Sequence, residues 1–212
     1  MSAIAVIAKA PTPGRSKTRL CPPCTPHGAA RLAAAALEDT LDAVARTDVA
    51  RRLLVLDGEH VVPPGFASIA QRGADLGERL ANAFADAGGG PLLLIGMDTP
   101  HVTPQLLARG LALLAPGRAV LGPAPDGGYW AIGLHRADAR VFADVPMSVP
   151  HTCRIQRERL RARGLAVDEL PPLRDVDRIE DAHAAAALAP RGRFAAALAE
   201  LGHTAAPAAA SA

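Results

Sequence analysis

Short apolar runs alternate with longer amphipathic stretches along this chain. Residues 4–8 (IAVIA), 53–56 (LLVL) and 92–95 (LLLI) are apolar throughout. A strand with one wet face would alternate apolar with polar positions, so unbroken runs of this length predict parallel strands buried on both faces. Residues 68–71 predict a further short strand, and 166–170 a last one. Residues 119–121 and 129–134 predict two strands around the turn-forming Pro125-Asp126-Gly127-Gly128. Between these lie the helical patterns. Residues 27–46 carry a rough apolar stripe of Leu32, Leu37, Leu41 and Val44. Residues 75–87 open on a capping box, Asp75-x-x-Glu78, and stop at Gly88-Gly89-Gly90. Residues 103–114 have Pro104 in the first turn, where its missing N–H costs nothing. Residues 151–163 predict a basic helix, and 177–188 a helix with Asp177 and Glu180 as its N-terminal box.

Strands alternating with helices, with no internal repeat and no linker, predict one α/β domain over residues 1–203. Its expected form is a three-layer α/β/α sandwich with a mainly parallel, Rossmann-like sheet. The Ala-rich stretch 204–212 reads as a disordered tail. In such sheets ligands sit beyond the carboxyl ends of the strands. The segments that follow IAVIA and LLLI are therefore expected to face one cleft.

Composition narrows the classes. A chain of 212 residues is long enough to bury a full core without a disulfide or metal staple. A charged fraction of 21% and a formal net charge of +2 exclude global disorder and a bulk-electrostatic nucleic-acid binder. No run reaches the ~18–20 apolar residues of a membrane span, so no span is expected. The first apolar run is too short for a signal-peptide core, and three cysteines make an unlikely disulfide scaffold, which together predict a cytoplasmic protein. The oligomeric state is not legible. There are 47 alanines, and 21 arginines stand against two lysines. With arginine the default cation, the basic helix is no argument for DNA. Yet both lysines, Lys9 and Lys17, fall in one segment, KAPTPGRSKTR. The single Tyr and single Trp are adjacent, Tyr129 and Trp130.

Four segments could carry chemistry. In KAPTPGRSKTRL, the cations Lys9, Arg15, Lys17 and Arg19 follow the first strand with no acid between them. Gly14 permits a close turn, and Pro11 and Pro13 stiffen the loop. Fixed N–H groups and several uncompeted cations are what phosphates require, although a solvated basic loop has the same composition. Neither a Walker loop nor a G-x-G-x-x-G fingerprint is present. In GMDTP, Asp98 stands at the end of a buried strand, where a carboxylate can hold a divalent cation on phosphate oxygens. Thr103 is better placed to cap the helix that follows. In GPAPDGGYW, Asp126-Gly127-Gly128 reads first as a hairpin turn, and the adjacent Trp130 points to an acceptor-binding wall. In RDVDRIED, Asp175 and Asp177 would point to opposite sides of an extended stretch, so that only one faces the cleft easily. Cys21-Pro22-Pro23-Cys24 has thioredoxin spacing but neither a second pair to complete a zinc site nor the strand-to-helix context of a redox motif, and is expected to be inert.

Taken in order, KAPTPGRSKTRL, QRGADLGERLANAF, LLLIGMDTP, GPAPDGGYWAIGL, MSVPHT and LRDVDRIED resemble the bacterial glycosyltransferase-A-like proteins called selenodomain-associated transferase type 1. The resemblance runs from about Ile4 to Leu201. It implies the nucleotide-diphospho-sugar transferase fold, a nucleotide or nucleotide-sugar donor, a small-molecule acceptor of unknown identity, and Mg2+ or Mn2+ as cofactor. It implies that Lys9, Gly14, Arg15, Lys17, Arg19, Gly77 and Arg79 bind the nucleotide, and that Asp126, Gly127, Gly128 and Trp130 bind the acceptor. Asp98 and Lys17 would be catalytic, with Asp98 the metal ligand and Asp177 a second one. One acid stands in GMD where many glycosyltransferases have D-x-D, and Val149 and His151 stand where Thr and Asp are expected. The resemblance implies metal-dependent transfer, glycosyl in the first instance. Nucleotidyl transfer with release of pyrophosphate is the alternative, and a nucleotide-binding regulator without turnover a further one.

Overall fold

The computed structural model describes residues 1–202; the stretch 204–212, expected to be a disordered tail, lies outside the described residues. One sheet of seven strands organises the chain. The strands are β1 (Ala3–Lys9), β2 (Arg51–Asp57), β3 (Phe66–Ala70), β4 (Leu92–Gly96), β5 (Arg118–Pro123), β6 (Tyr129–Leu134) and β7 (Ala166–Glu169). Their spatial order is β3-β2-β1-β4-β6-β5-β7. The pairs β3–β2, β2–β1, β1–β4 and β5–β7 are parallel. Only β6 runs against its neighbours, and it sits between β4 and β5. The expected three-layer α/β fold with a mainly parallel sheet is the fold observed.

The unbroken apolar runs are buried on both faces, as their pattern requires. Ile4, Val6 and Ala8 of β1 pack with Leu54 and Leu56 of β2 and Leu93 and Ile95 of β4 on one face. There they meet α1 (Pro26–Ala45) through Leu37, Leu41 and Val44, and α3 (Pro104–Ala112) through Leu107. Ala3, Ala5, Leu53, Val55 and Leu94 face the other way, toward Leu80 and Phe84 of α2 (Leu76–Asp86) and Leu160 of α4 (Thr152–Ala162). Caps follow the sequence where they are local. Thr25 accepts from Gly28 N, Asp75 from Glu78 N, and Thr103 from Leu106 N. The arginines of α4 are largely paired with acids: Arg154 with Glu158, Arg157 with Glu169, Arg159 with Asp144, and Arg163 just beyond it with Asp138. No helix among the described residues is long and apolar enough to cross a membrane.

Two elements differ from expectation. The helix expected from Asp177 is α5, which begins later (Ile179–Leu188). Asp177 and Glu180 are not its box. Asp181 accepts instead from Arg178 N at 2.9 Å and Asp177 N at 3.3 Å, which releases the Asp177 side chain. A further helix, α6 (Arg193–Glu200), has no counterpart in the sequence reading. Gly192 precedes it and brings no capping side chain. Its first N–H groups go to Asp39, from α1: Arg193 N to Oδ1 at 3.0 Å and Phe194 N to Oδ2 at 2.9 Å. Phe194, Ala197 and Leu198 then cover Ala29, Leu32 and Ala36 of α1. Cys24 is buried in the same cluster, and burial pushes its thiol up, so a reactive thiolate is disfavoured there. All three cysteines are free.

Asp39→Ala should therefore undock α6. Each of the two charge-assisted hydrogen bonds lost is expected to cost about 1.5–3 kcal/mol. Thermal unfolding followed by circular dichroism should show a clear fall in Tm, and an unchanged Tm would mean that α6 is held by its apolar face alone.

Candidate functional site

At the carboxyl ends of β1 and β4 opens a cleft of about 1140 Å³. The loop after β1 forms its first wall. Ala10 N donates to Asp57 O, which ties the start of the loop to β2. Thr12 O accepts from Arg15 N and Ser16 N, closing a turn in which Gly14 takes φ +75°. Lys17 itself is left-handed, at φ 50° and ψ 41°. A single 3-10 turn, Thr18–Leu20, follows, and Leu20 is fully buried against α1 and α6. A left-handed backbone costs a residue with a Cβ about 1–2 kcal/mol, and this one turns the Lys17 side chain inward, to 10% exposure.

The Lys17 ammonium ends between two carboxylates. Its Nζ is 2.9 Å from Asp98 Oδ1 and 3.6 Å from Asp177 Oδ1. Arg19 Nη1 reaches the other oxygen of Asp177 at 2.7 Å. Asp98 lies just beyond β4 and caps nothing, since Thr103 performs that task. Asp177 arrives from far along the chain on a strap formed by residues 170–177. Leu170 N and Leu173 N donate to Leu121 O and Pro123 O of β5. Trp130 Nε1 donates to Pro171 O at 3.2 Å. Val176 N donates to Asp98 O at 2.9 Å, which sets the two carboxylates side by side.

This strap corrects the alternation expected for Asp175 and Asp177. Residues 171–177 form no strand, so no pleat sends the two side chains apart, and both line the cleft. Burial, then the negative charges of Asp126 and Asp177, push the Asp175 carboxyl up to about 6, while Lys17 opposes the rise.

The other expected site residues divide into two groups. Lys9, Arg15, Arg19 and Arg79 line the cleft beside Lys17. Arg79 is held by Asp57 at 2.9 Å and lies near Gln71, whose amide donates to Ala8 O and Val55 O at the ends of β1 and β2. Asp126 and Gly128 also line it. Gly14, Gly77 and Gly127 do not. Gly77 lets the start of α2 pack near Phe142 O and Met147. Gly127, at φ +90°, lies so close to Pro150 O that no side chain fits. The Asp126–Gly128 segment is a hairpin turn, as its composition suggests, with Asp126 Oδ1 accepting from Gly128 N at 2.8 Å. Trp130, expected to bind the acceptor, has a structural task as well. It borders the cleft at 4% exposure, its ring fills the space that a side chain at Gly122 would need, and its N–H holds the strap.

Sequence reasoning misses Asp175, Gln71, Leu76 and Met147, all of which line the cleft. Asp175 is missed because its segment reads as extended. Gln71, Leu76 and Met147 lie in segments that carry the family resemblance, QRGADLGERLANAF and MSVPHT, but are given no role there.

Asp98 and Asp177 converge on one cation from segments far apart in the chain. Such a pair fits a hard divalent ion, which takes one or two carboxylates and completes its shell with phosphate oxygens and water. No group of three His, Cys, Asp or Glu able to hold a metal occurs among the described residues, so the fit is to that sparse kind of site and not to an all-protein cage.

The same architecture occurs in solved structures. A proposed nucleotide-diphospho-sugar transferase from Desulfovibrio desulfuricans is 30% identical, with a TM-score of 0.84 over 94% of each chain. A nucleotidyl transferase from Methanothermobacter is 16% identical, with a TM-score of 0.62 over 92% of this chain and 98% of that one. The 2-C-methyl-D-erythritol 4-phosphate cytidylyltransferase of Thermus thermophilus is 19% identical, with a TM-score of 0.55 over 90% of this chain and 100% of that one. The last two show the fold alone. Among curated proteins no sequence matches significantly. A family model described as an uncharacterized protein conserved in bacteria (DUF2064) matches residues 35–149. The chain belongs to this bacterial family, DUF2064, and has the fold of nucleotide-diphospho-sugar transferases and nucleotidyltransferases.

Proposed function

We propose that this protein is a divalent-metal-dependent transferase that takes a nucleotide-activated donor and transfers a glycosyl unit from it. The carrying observation is the Lys17 ammonium set between Asp98 and Asp177, with Lys9, Arg15 and Arg19 around the same cleft. The likeness to the Desulfovibrio protein turns the reading toward a nucleotide sugar.

The chain's own groups supply most of the chemistry. Lys9, Arg15, Lys17 and Arg19 bind the donor's phosphates and hold them at the ends of β1 and β4. Negative charge grows on the leaving phosphate as its bond to the sugar breaks. Cations fixed beforehand stabilise that charge more than they stabilise the bound donor, which is the condition for acceleration. Asp98 and Asp177 are the residues that would hold Mg2+ or Mn2+. Once bound, the ion would neutralise phosphate oxygens as a Lewis acid. Lys17, held at a strained left-handed backbone position, would turn from these carboxylates to a donor phosphate. A nucleotidyltransferase would use the same loop and carboxylates but release pyrophosphate. Product analysis after incubation with nucleotide sugars or with nucleoside triphosphates, each with Mn2+, separates the two. Nucleoside diphosphate from a nucleotide sugar is the expected product, and pyrophosphate from a triphosphate would overturn glycosyl transfer.

Lys17→Ala should weaken nucleotide binding roughly tenfold or more, the worth of one charge-assisted contact. Its apo Tm should hardly change, because Asp98 and Asp177 are 38% and 36% exposed and water can take over from the ammonium. Isothermal titration giving wild-type affinity would remove Lys17 from the phosphate site.

Asp98→Asn should abolish metal-dependent turnover and metal-enhanced nucleotide binding, with the fold kept by circular dichroism. Asp177→Asn should act in the same direction and leave Tm nearly unaltered, because Asp181 and not Asp177 caps α5. Full metal-dependent activity in Asp98→Asn would place the ion at another carboxylate.

A further inference from the structure

The two sides of the cleft differ in charge, and the difference bears on the acceptor. The cations that line the cleft near β1 face a wall of another kind. That wall is built from the start of α2, the β5–β6 turn and residues 147–150. Leu76, Asp126, Tyr129, Met147, Val149 and Pro150 line it; of the Lys and Arg of these segments only Arg79 reaches the cleft, and its guanidinium is turned to Asp57 at the end of β2, 2.9 Å away. Leu76 is 41% exposed at the first position of α2. The other strongly exposed large apolar side chains, Met1, Val61 and Leu188, lie outside the cleft. Met147 lies beside the start of α2, its Cε 3.7 Å from where a Cβ on Gly77 would sit. The Met147 sulfur is 3.8 Å from the Tyr129 hydroxyl, which is 3.2 Å from Gln156 Oε1. The Tyr129 hydroxyl is thus occupied, and the surface that remains is largely apolar, with the carboxylates Asp75 and Asp126 at its edge.

A phosphate ester bound here would be desolvated against apolar side chains and repelled by Asp75 and Asp126, and the one cation of these segments in the cleft, Arg79, is already paired with Asp57. An uncharged molecule with an apolar body meets neither penalty. There is room for it as well: drug-sized ligands occupy pockets of about 300–1,000 Å³, and this cleft, of about 1140 Å³, exceeds that. We infer that the acceptor is an uncharged alcohol carried on an apolar body, seated on Leu76, Met147 and Tyr129, and not a phosphate ester. The inference rests on the glycosyl-transfer reading above and names its second substrate class. In the step it implies, the alcohol oxygen bonds to the sugar's anomeric carbon and the bond from that carbon to the phosphate oxygen breaks. The nucleoside diphosphate leaves with the electron pair, and the hydroxyl proton passes to Asp126.

The test uses the full-length protein with Mn2+ and a panel of UDP-, GDP- and CDP-sugars. Nucleoside diphosphate release is measured alone, with benzyl alcohol, and with glucose 1-phosphate or glycerol 3-phosphate. Benzyl alcohol should accelerate release and yield the benzyl glycoside by mass spectrometry, and the phosphomonoesters should do neither. Leu76→Asp should raise the KM for benzyl alcohol roughly tenfold or more, the scale of apolar-pocket discrimination, and Leu76→Met should restore it. Leu76 is exposed, so both variants are expected to fold. Acceleration by a phosphomonoester, with a phosphate-linked glycosyl product, would overturn the inference and leave glycosyl transfer standing. A benzyl alcohol KM indifferent to Leu76→Asp would remove the acceptor from this wall. Pyrophosphate release from a nucleoside triphosphate would overturn both readings.

Discussion

One ammonium group sets the electrostatics at the functional end of this molecule. Lys17 is almost buried, and a charge removed from water must be paired or it neutralises. Its partners come from the end of β4 and from a strap that begins at β7. The single cation therefore joins three segments that share no local sequence. It also keeps two carboxylates close together that would otherwise repel each other. Breaking a deeply buried pair is costly, but these carboxylates are more than a third exposed. The arrangement can exchange one cation for another without unfolding its surroundings, which is what a site for a metal and a phosphate needs.

The strap explains why β6 matters although it contributes no catalytic side chain of its own. Trp130 lies on β6, under the cleft, and its indole N–H fixes Pro171 while its ring fills the space above Gly122. The largest aromatic in the chain thus acts as an anchor: its apolar body is buried and its one polar atom is satisfied. From that anchor the strap runs to Asp98, where a backbone hydrogen bond completes the placement of Asp177. The adjacent hairpin turn is fixed in a similar way, since Gly127 allows it to lie directly against Pro150. Core packing and site geometry thus share these residues.

Much of this is legible in the sequence wherever the cause is local. The runs IAVIA and LLLI are buried on both faces because they have no polar position to offer water, and the cleft opens at their carboxyl ends. Thr25, Asp75 and Thr103 cap the helices that their positions announce. The two lysines in an arginine-rich chain mark the loop that lines the cleft. What is not legible depends on contacts between distant residues. Helix α6 takes its cap from Asp39, which lies 154 positions before Arg193, and nothing near Gly192 betrays it. Asp177 resembles a helix cap in the sequence, but Asp181, four residues on, can satisfy the same N–H groups, and only the folded chain shows which of the two does so. Asp175 escapes notice because the pleat that would turn it away belongs to a strand that does not form. Trp130 stands out by rarity, and rarity does not distinguish an anchor from a binding surface.

The division of charge across the cleft follows from the same topology. A parallel sheet brings the loops after β1 and β4 to one edge, so the cations of the first meet the carboxylate of the second. The antiparallel β6 reverses direction at that edge, and its turn with β5 brings Asp126 to the opposite wall. Had β6 been parallel, a crossover would have replaced this tight turn. That wall would then have been made of a longer connection, without the close contact between Gly127 and Pro150 that holds it now. One reversed strand thus gives the cleft two unlike walls: a cationic one that suits phosphates, and a largely apolar one bordered by carboxylates. A substrate pair with that same division, an anionic donor and an uncharged acceptor, can occupy both walls at once without either molecule burying an unpaired charge.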